Sequence, residues 1–233
     1  MNVDSDRLWE LMQQLFRPHP WHGLTVGTRA PERVNVYVEI VPTDTVKYEI
    51  EKQTGYLWVD RPQQFSNVCP TLYGVIPQTF CGERFADLYG RKIGRKGIRG
   101  DEDPLDICVM TEKAFSHGDF LMQAIPIGGL RLIDGEEADD KIIGVMPGDA
   151  IYGQWRSIEQ VPEPIIERLK HYFLTYKQAP DEPLREVEIA GVFDRKEAYE
   201  VIARSIEDYR EKFGDPRARL FEALRSLPAG DVD

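Results

Sequence analysis

The chain has 233 residues, with 29 basic and 40 acidic side chains, and therefore a formal net charge of −11. Hydrophobic residues make up 42% and charged residues 30%, which is typical of a globular protein and excludes disordered and collagen-like chains. The negative charge argues against a general binder of nucleic acid or anionic membranes, because both require basic surface. It does not exclude a small anionic substrate, since a bound metal reverses the local field.

Short segments of the chain indicate its compartment. Residues 1–7 lack the basic and apolar regions of a secretory signal. The uncharged stretch 62–82 is long enough to cross a bilayer, but its prolines and polar side chains favour a buried loop and strand instead. Three cysteines without CxxC spacing favour reduced thiols. We therefore expect a cytoplasmic protein without a membrane partner.

Hydrophobic periodicity predicts a succession of short strands and then two long helices. Apolar and polar residues alternate strictly over 33–40 and 46–51, and a turn at Gly55 predicts that 46–51 forms a hairpin with 57–60. Further strands are predicted at 105–110, 119–127, 129–133, 141–146 and 185–193. Helices are predicted at 5–17, 163–177 and 195–213, the last with a capping box formed by Asp194 and Glu197. So many short strands with Gly and Pro between them predict a barrel or a sandwich.

Residues 82–100 differ from their surroundings in composition. This stretch contains five glycines and six Lys or Arg side chains, which predicts a mobile basic loop. Two interpretations stay open: a tolerated surface insertion, or a flap or partner contact near an anionic site.

The stretch GDEDPLD carries the strongest chemical signal. Its carboxylates Asp101, Asp103 and Asp106 lie within six residues and repel one another unless cations separate them. Hard divalent cations prefer such oxygen ligands. A solvated acidic turn is disfavoured because Pro104 and Leu105 make the stretch stiff and half-buried, and an EF-hand is excluded by the residues at its fifth and sixth positions.

Two further clusters of charge accompany these aspartates. Strand alternation places Lys47 and Glu49 on one face, which suits either a metal-bound anion or an exposed salt-bridged strand. The segment DGEEADDK, residues 134–141, taken alone predicts an exposed hairpin, including Glu136, Glu137 and Asp140.

Together these segments resemble the family I, soluble, Mg-dependent inorganic pyrophosphatases. The resemblance runs from about Val36 to Lys212, and GDEDPLD carries the three signature aspartates. The other matching segments are VYVEI, VKYEIEKQTGYLWVDR, YGVIPQTF, IGGLRLIDGEEADDK and HYFLTYK. The resemblance implies a mainly β or α+β fold, with an OB-like closed five-stranded β-barrel and flanking α-helices. It also implies hydrolysis of diphosphate to two phosphates by a metal-bound hydroxide, with several Mg²⁺ ions per site and Mn²⁺ or other divalent ions as substitutes.

The resemblance also assigns roles to individual residues. The expected metal ligands are Asp101, Asp103, Asp106, Asp134, Asp139, Glu39 and Glu49. The expected substrate-binding residues are Lys47, Arg61, Lys141, Tyr176 and Lys177. The expected catalytic residues are Asp103, which takes a proton from the attacking water, with Tyr73, Lys47 and Arg61.

The domain organisation and partners follow from the same resemblance. We expect an N-terminal extension with a short helix at 1–32, a barrel domain at 33–213 that contains the basic insertion, and a tail at 214–233. The expected partners are diphosphate, phosphate and further copies of the chain, as a dimer or hexamer, and no nucleic acid. Two alternatives stay open: a metal-dependent nucleotide diphosphohydrolase, and an OB-like module that binds single-stranded nucleic acid, which seven carboxylates on the binding face oppose.

Overall fold

The computed structural model describes Trp9, Met12 and residues 17–64, 66–177 and 187–226. The helix predicted at 5–17 therefore lies mostly outside the described residues, and Trp9 and Met12 are helical. The strands are β1 Val34–Ile40, β2 Val46–Ile50, β3 Leu57–Pro62, β4 Leu72–Val75, β5 Arg99–Gly100, β6 Asp106–Met110, β7 Phe120–Asp134, β8 Glu137–Ala138, β9 Lys141–Val145 and β10 Val187–Asp194. The helices are α1 Glu83–Ile93, α2 Glu163–Thr175, α3 Arg195–Phe213 and α4 Pro216–Ser226, with a 3₁₀ turn at Ile158–Gln160.

Five of these strands form a ring in the order β1, β4, β6, β9 and β7. Each strand pairs with the next, and β7 pairs again with β1. The pairing is antiparallel except between β6 and β9, which run parallel. The predicted OB-like, sheet-dominated α+β fold with a ring of five strands and flanking helices is therefore confirmed. The predicted hairpin is also confirmed, since β2 and β3 form a separate two-stranded sheet.

The ring is buried on both of its faces, which explains why strands such as LDICVM read as continuous apolar runs. In β6, Ile107 and Val109 belong to a core cluster with α1 and α3. The alternate residues Cys108 and Met110 belong to a second cluster with α2. Two-sided burial of this kind removes the polar face that a half-exposed strand would show.

The prediction of two strands at 119–127 and 129–133 is wrong, because both belong to the single strand β7. Gly128 and Gly129 resemble a break in the sequence, yet they lie inside the strand. A side chain at Gly129 would meet the ring of Phe193, and one at Gly128 would meet Ile158. The glycines therefore make room for side chains packed over the strand rather than ending it.

The prediction of a mobile basic loop at 82–100 is also wrong, because most of this stretch is helix α1. Phe85, Leu88 and Tyr89 recur at helical spacing and are buried, and the helix ends at Gly94 in the left-handed conformation, with φ of 69°. The basic residues do not extend freely into solvent, since Arg84, Lys92 and Arg95 pair with acidic side chains of α3 and β10. The abundance of Gly, Lys and Arg obscures a short apolar helical pattern.

Among the helices that the structure describes, none combines the length and the apolar character that crossing a bilayer requires.

Helix α1 receives its N-terminal cap from another helix. The buried carboxylate of Asp208 in α3 accepts hydrogen bonds from the backbone N–H groups of Gly82, Arg84 and Phe85, at 3.0 to 3.1 Å. These groups have no intrahelical partner at a helix start, and a carboxylate there also suits the helix dipole. The same carboxylate therefore stabilises α1 and fixes α3 against it.

Replacing this cap should weaken the fold measurably. We expect Asp208→Ala to lower the free energy of unfolding by about 2 kcal/mol, because the Arg84 N–H and the buried Phe85 N–H lose their acceptor, whereas the Gly82 N–H keeps the Phe80 carbonyl at 3.1 Å. The measurement is urea denaturation followed by circular dichroism. In contrast, Glu211→Ala removes only an exposed partner of Arg84 and should change stability by less than about 0.5 kcal/mol. Equal denaturation midpoints for the two variants would contradict this account of α1.

Candidate active site

One cavity of about 310 Å³ collects charged side chains from most of the ring and from the β2–β3 hairpin. All of the residues predicted for the site line it: Glu39, Lys47, Glu49, Arg61, Tyr73, Asp101, Asp103, Asp106, Asp134, Asp139, Lys141, Tyr176 and Lys177. They come from segments as distant in sequence as β1 and the end of α2. The fold therefore brings together residues that the sequence separates by more than one hundred positions.

The loop before β6 carries two of the aspartates and is fixed by backbone contacts. Gly100 passes so close to the Cys81 carbonyl that a side chain there would collide with it. Glu102 adopts a left-handed conformation with φ of 61°, and its N–H donates to the same carbonyl at 3.2 Å. The Asp103 N–H then donates to the Asp101 carboxylate at 3.0 Å. This tight turn places both Asp101 and Asp103 on the cavity wall.

Lys141 is the buried cation at the centre of the acidic cluster. Its ammonium donates to Asp106 and Asp139, and only 2% of the residue is exposed. The rings of Tyr73 and Phe173 lie 5.9 and 5.7 Å from the ammonium nitrogen. Burial would lower the pKa of Lys141, but Asp106 and Asp139 outweigh it and raise the pKa well above its ordinary value.

Asp106 and Asp139 respond differently to this shared cation. Burial raises the pKa of Asp106, against the opposing effect of Lys141, and the Tyr73 hydroxyl donates to Asp106 at 2.5 Å. Burial also opposes ionisation of Asp139, but Lys141 outweighs it and the pKa of Asp139 is lowered. Asp139 therefore ionises readily, whereas its neighbour Asp106 resists ionisation.

A second group of cations surrounds the ring of Tyr176. The Arg61 guanidinium carbon and the Lys177 ammonium nitrogen each lie 5.4 Å from its centroid. Lys177 also donates to Asp134 at 2.7 Å. These cations face the cavity together with a phenol, which is an arrangement suited to binding phosphate oxygens.

The predicted shared face of Lys47 and Glu49 is confirmed, and a β-bulge adds a residue that alternation missed. The ammonium of Lys47 donates to Glu49 at 2.6 Å and to Asp60 at 2.9 Å. Lys47 pairs with Arg61, whereas the next residue, Tyr48, pairs with Val59, so Asp60 is the extra residue of a bulge. Because a bulge breaks the two-residue alternation, the Asp60 carboxylate contacts both Lys47 and its neighbour Arg61.

Lys52 is a second residue that the sequence did not reveal. It lies in the turn after β2, lines the cavity and forms an ion pair with Asp103. Both side chains are about half-exposed, with 57% of Lys52 and 44% of Asp103 accessible to solvent. A turn residue follows no strand period, so no local pattern marks Lys52.

The expectation of an exposed acidic hairpin holds only in part. Glu136 and Glu137 are exposed, whereas Asp140 is buried and pairs with Arg131 at 3.3 Å. Burial raises the pKa of Asp140 to about 7, against the opposing effect of Arg131. Asp140 therefore belongs to the interior of the protein, on the side of the chain away from the cavity.

Glu39 and Asp101 show how strongly the site resists further negative charge. Burial and the nearby Asp106 raise the pKa of Glu39 to about 8, although its carboxylate accepts the Ile50 N–H at 2.8 Å. Burial and the nearby Asp139 raise the pKa of Asp101 to about 8 as well. Such shifts mean that full ionisation of this cluster requires more positive charge than the lysines supply.

The donor set fits hard divalent cations, although lysines at present hold the carboxylates. Within the described residues, no three Asp, Glu, His or Cys side chains converge closely enough to hold a metal ion as they stand. The reason is visible in the ion pairs of Lys141, Lys52 and Lys177 with these carboxylates. Carboxylate oxygens are the ligands that Mg²⁺ prefers, and the raised pKa values indicate an unmet need for cations.

Comparison with known proteins is independent of the geometry of this cavity. A family model described as Inorganic pyrophosphatase matches residues 36–210. The chain belongs to the inorganic pyrophosphatase family. An inorganic pyrophosphatase of Chlamydia trachomatis is 47% identical over 199 residues, which are 84% of this chain and 95% of that protein. Soluble inorganic pyrophosphatase 1 of Arabidopsis thaliana is 33% identical, over 88% and 86% of the two chains.

Solved structures of this family share the fold. The inorganic pyrophosphatase of Thermus thermophilus superposes with a TM-score of 0.69 and 29% identity, over 82% of this chain and 99% of that one. A type I inorganic pyrophosphatase of Toxoplasma gondii reaches a TM-score of 0.74 at 23% identity, over 86% and 91% of the chains. The second likeness is one of fold alone. The family match runs from β1 to α3 and so includes every residue that the sequence predicted for the site.

The raised pKa of Asp101 predicts a pH-dependent stability in this family member. The unfolded carboxyl titrates near about 3.9, so between about pH 4 and pH 8 the folded state keeps a proton that the unfolded state releases. Stability from this group is therefore present at low pH and lost as pH rises. In excess chelator, the parent should lose stability between pH 5 and pH 8, and Asp101→Asn should lose about 3 kcal/mol less over the same range.

Urea denaturation at the two pH values, in chelator, tests this expectation. The asparagine cannot ionise but keeps an acceptor for the Asp103 N–H, so local structure is preserved. Asp87→Asn is the matched control, because Asp87 is an exposed carboxylate outside this cavity. It should retain the parent's pH dependence, and the same dependence in Asp101→Asn would refute the assignment.

Proposed function

We propose that the protein hydrolyses inorganic diphosphate to two phosphates and requires Mg²⁺ to do so. The observation that carries this proposal is the meeting of five cations and two phenols with eight carboxylates in one cavity of a family member. Cations and phenols suit a small, highly charged anion, whereas the carboxylates suit the metal that such an anion brings or requires.

The metal ligands of the proposed site are carboxylates that line the cavity. Asp101, Asp106 and Asp139 would hold Mg²⁺ at the centre, with Asp134, Glu39 and Glu49 around them. When bound, the metal supplies positive charge to phosphate oxygens and lowers the pKa of water. Mn²⁺ and other divalent ions are proposed substitutes, because the donor set is oxygen alone.

The cations of the chain would hold the substrate. Lys47 and Arg61 approach from the hairpin, and Lys141 and Lys177 approach from the ring and the end of α2. Each of these cations now pairs with a carboxylate. The negative charge of a bound diphosphate would replace that carboxylate as the partner of the cation. Lysine and arginine placed where charge develops on the leaving phosphate lower the barrier of phosphoryl transfer.

Asp103 is the proposed general base. The oxygen of a water attacks one phosphorus while the bridging P–O bond breaks, and Asp103 takes the proton that the water loses. Its side chain lies on the cavity wall, and with 44% accessible to solvent it can contact water. The Tyr73 and Tyr176 hydroxyls would donate hydrogen bonds to phosphate oxygens or to the leaving group.

The setting of this activity is part of the same proposal. We place the protein in the cytoplasm as a homo-oligomer, dimer or hexamer, with its activity in the barrel domain at 33–213 and with segments 1–32 and 214–233 as appendages. The absence of nucleic acid among its partners follows from the acidic character of the chain.

Metal dependence is the first prediction from this proposal. We expect hydrolysis of diphosphate to stop in excess chelator and to return when Mg²⁺ is added, because the acidic cavity repels diphosphate without metal. Release of phosphate from diphosphate and from ATP, each with Mg²⁺, measures both activity and substrate class. Full activity in chelator, or faster hydrolysis of ATP than of diphosphate, would contradict the proposal.

The role of Asp103 gives a second prediction. We expect Asp103→Asn to lower kcat at least a hundredfold while KM changes less than about threefold, since general-base catalysis contributes typically ~10²–10⁴-fold. Steady-state kinetics at several Mg²⁺ concentrations measures the two constants. The control is Glu102→Gln, a neighbouring exposed carboxylate outside the cavity, which should keep both constants within about twofold. Comparable losses in kcat and in substrate affinity would make Asp103 a binding residue instead.

A further inference from the structure

Arg131 is a buried cation that does not line the candidate active site. It lies in β7, and only 7% of its side chain is exposed. Its guanidinium lies between two aromatic rings, 5.0 Å from the centroid of Tyr89 in α1 and 4.9 Å from that of Phe193 in β10. A planar guanidinium between two rings has little freedom to move, so Arg131 is a fixed point of the interior.

This fixed cation pairs with two carboxylates from different elements. It contacts Glu197, in the first turn of α3, at 2.6 Å, and Asp140, just before β9, at 3.3 Å. Asp194 caps α3 by accepting the Glu197 N–H at 2.8 Å, but the side chain of Glu197 turns to Arg131, so only half of the predicted capping box is observed. Arg131 therefore links three flanking elements to the segment that contains Asp140.

Asp140 lies between two residues of the candidate site. Asp139 and Lys141 face the cavity, whereas Asp140 faces Arg131 on the opposite side of the chain, as extended backbone requires. A second connection reaches the same segment, because the Leu132 carbonyl accepts both the Asp139 N–H at 3.0 Å and the Tyr89 hydroxyl at 2.6 Å. Tyr89 thus contacts Arg131 and also shares a carbonyl with Asp139.

Stability alone does not account for this ion pair. Replacing a buried pair by apolar side chains of similar volume is often neutral or stabilising, since two charges must lose their water. Within the described part of the chain, the Arg131 Nε and one Asp140 oxygen also lack a hydrogen-bond partner. A buried ion pair with unsatisfied hydrogen-bonding atoms stabilises the fold less than apolar packing would. Its geometry, however, fixes the direction in which the Asp140 side chain points.

We propose that Arg131, through its ion pair with Asp140, is a positioning residue that fixes Asp139 and Lys141 for metal and substrate binding. This inference rests on the proposed function, because it assigns those two residues to the site. Loss of the pair frees the 139–141 segment, which weakens metal binding and lowers turnover without unfolding the protein.

The test removes the charges of Arg131 and Asp140 at once, so that neither is left buried without the other, while Glu197 keeps its ion pair with Lys92 at 3.5 Å. In the double variant Arg131→Met, Asp140→Leu, we expect the thermal midpoint to stay within a few degrees of the parent. We expect Mn²⁺ binding, measured by titration calorimetry without substrate, to weaken about tenfold, and kcat for diphosphate to fall at least tenfold with KM within threefold. Arg131→Lys, which keeps the charge but not the planar fork, should retain part of the Mn²⁺ affinity.

Arg95→Met is the matched control, because Arg95 forms an exposed pair with Glu188 on the same side of the molecule. It should leave Mn²⁺ affinity and kcat unchanged. A double variant that is as stable as the parent and equal to it in Mn²⁺ affinity and kcat would overturn the proposal.

If the double variant fails to fold, the single variants Arg131→Lys and Asp140→Asn provide the test, and the Mn²⁺ affinity of the folded protein is again the criterion. A parent that binds Mn²⁺ but does not hydrolyse diphosphate would refute the proposed function, and the Mn²⁺ comparison would still decide the role of Arg131.

Discussion

Repulsion among buried carboxylates is the constraint on which this structure depends. Asp101, Asp106 and Asp139 line one cavity, and the charge of Asp139 raises the cost of ionising both Asp101 and Asp106. Lys141 relieves part of that cost by lying between two of them. A chain that only needed a stable core would not concentrate charge in this way, because apolar residues fill the same volume at lower cost. The cluster therefore has a chemical purpose, and the rest of the fold must hold it together.

The ring of strands holds the charged residues together by fixing the positions of their backbones. Asp106 and Lys141 begin two strands that pair in parallel, directly opposite each other. Tyr73 comes from the next strand and completes the contact through its hydroxyl. Because paired strands cannot slide without exchanging their two faces, the register of β6 and β9 fixes the distance between the acid and its cation. The site is thus as rigid as the barrel that carries it.

Sequence patterns predicted those parts of the fold and site that follow a regular period. Alternation placed Lys47 and Glu49 on one face correctly, and the helical pattern gave α2 and α3 nearly to the residue. The patterns failed where the period breaks. Asp60 reaches Lys47 only because a bulge inserts it, and β7 runs through two glycines whose space is taken by other side chains.

Predictions from composition were wrong where a short apolar pattern or a contact with a residue distant in sequence decided the structure. Helix α1 was hidden by its basic residues and glycines, although three apolar residues at helical spacing were present. Asp140 was grouped with exposed acidic neighbours because its partner, Arg131, lies on another strand. Neither Lys52 nor Asp140 could be placed from its neighbours in sequence, since what decides its position is a contact made across the fold.

Net charge proves to be a poor guide to the ligand of such a protein. The chain carries a formal charge of −11, yet four lysines and one arginine line the same cavity as the carboxylates. Lys52 and Glu137, which line the cavity but were not predicted for the site, add one charge of each sign and leave the balance of the predicted set unchanged. Whether the cavity can bind an anion therefore depends on which of its carboxylates are neutralised, and not on the net charge of the chain. In the proposed function, each carboxylate that takes up a divalent cation would release a lysine to meet the substrate. Metal binding and anion binding would then reinforce each other, which is how an acidic protein can bind a highly charged anion.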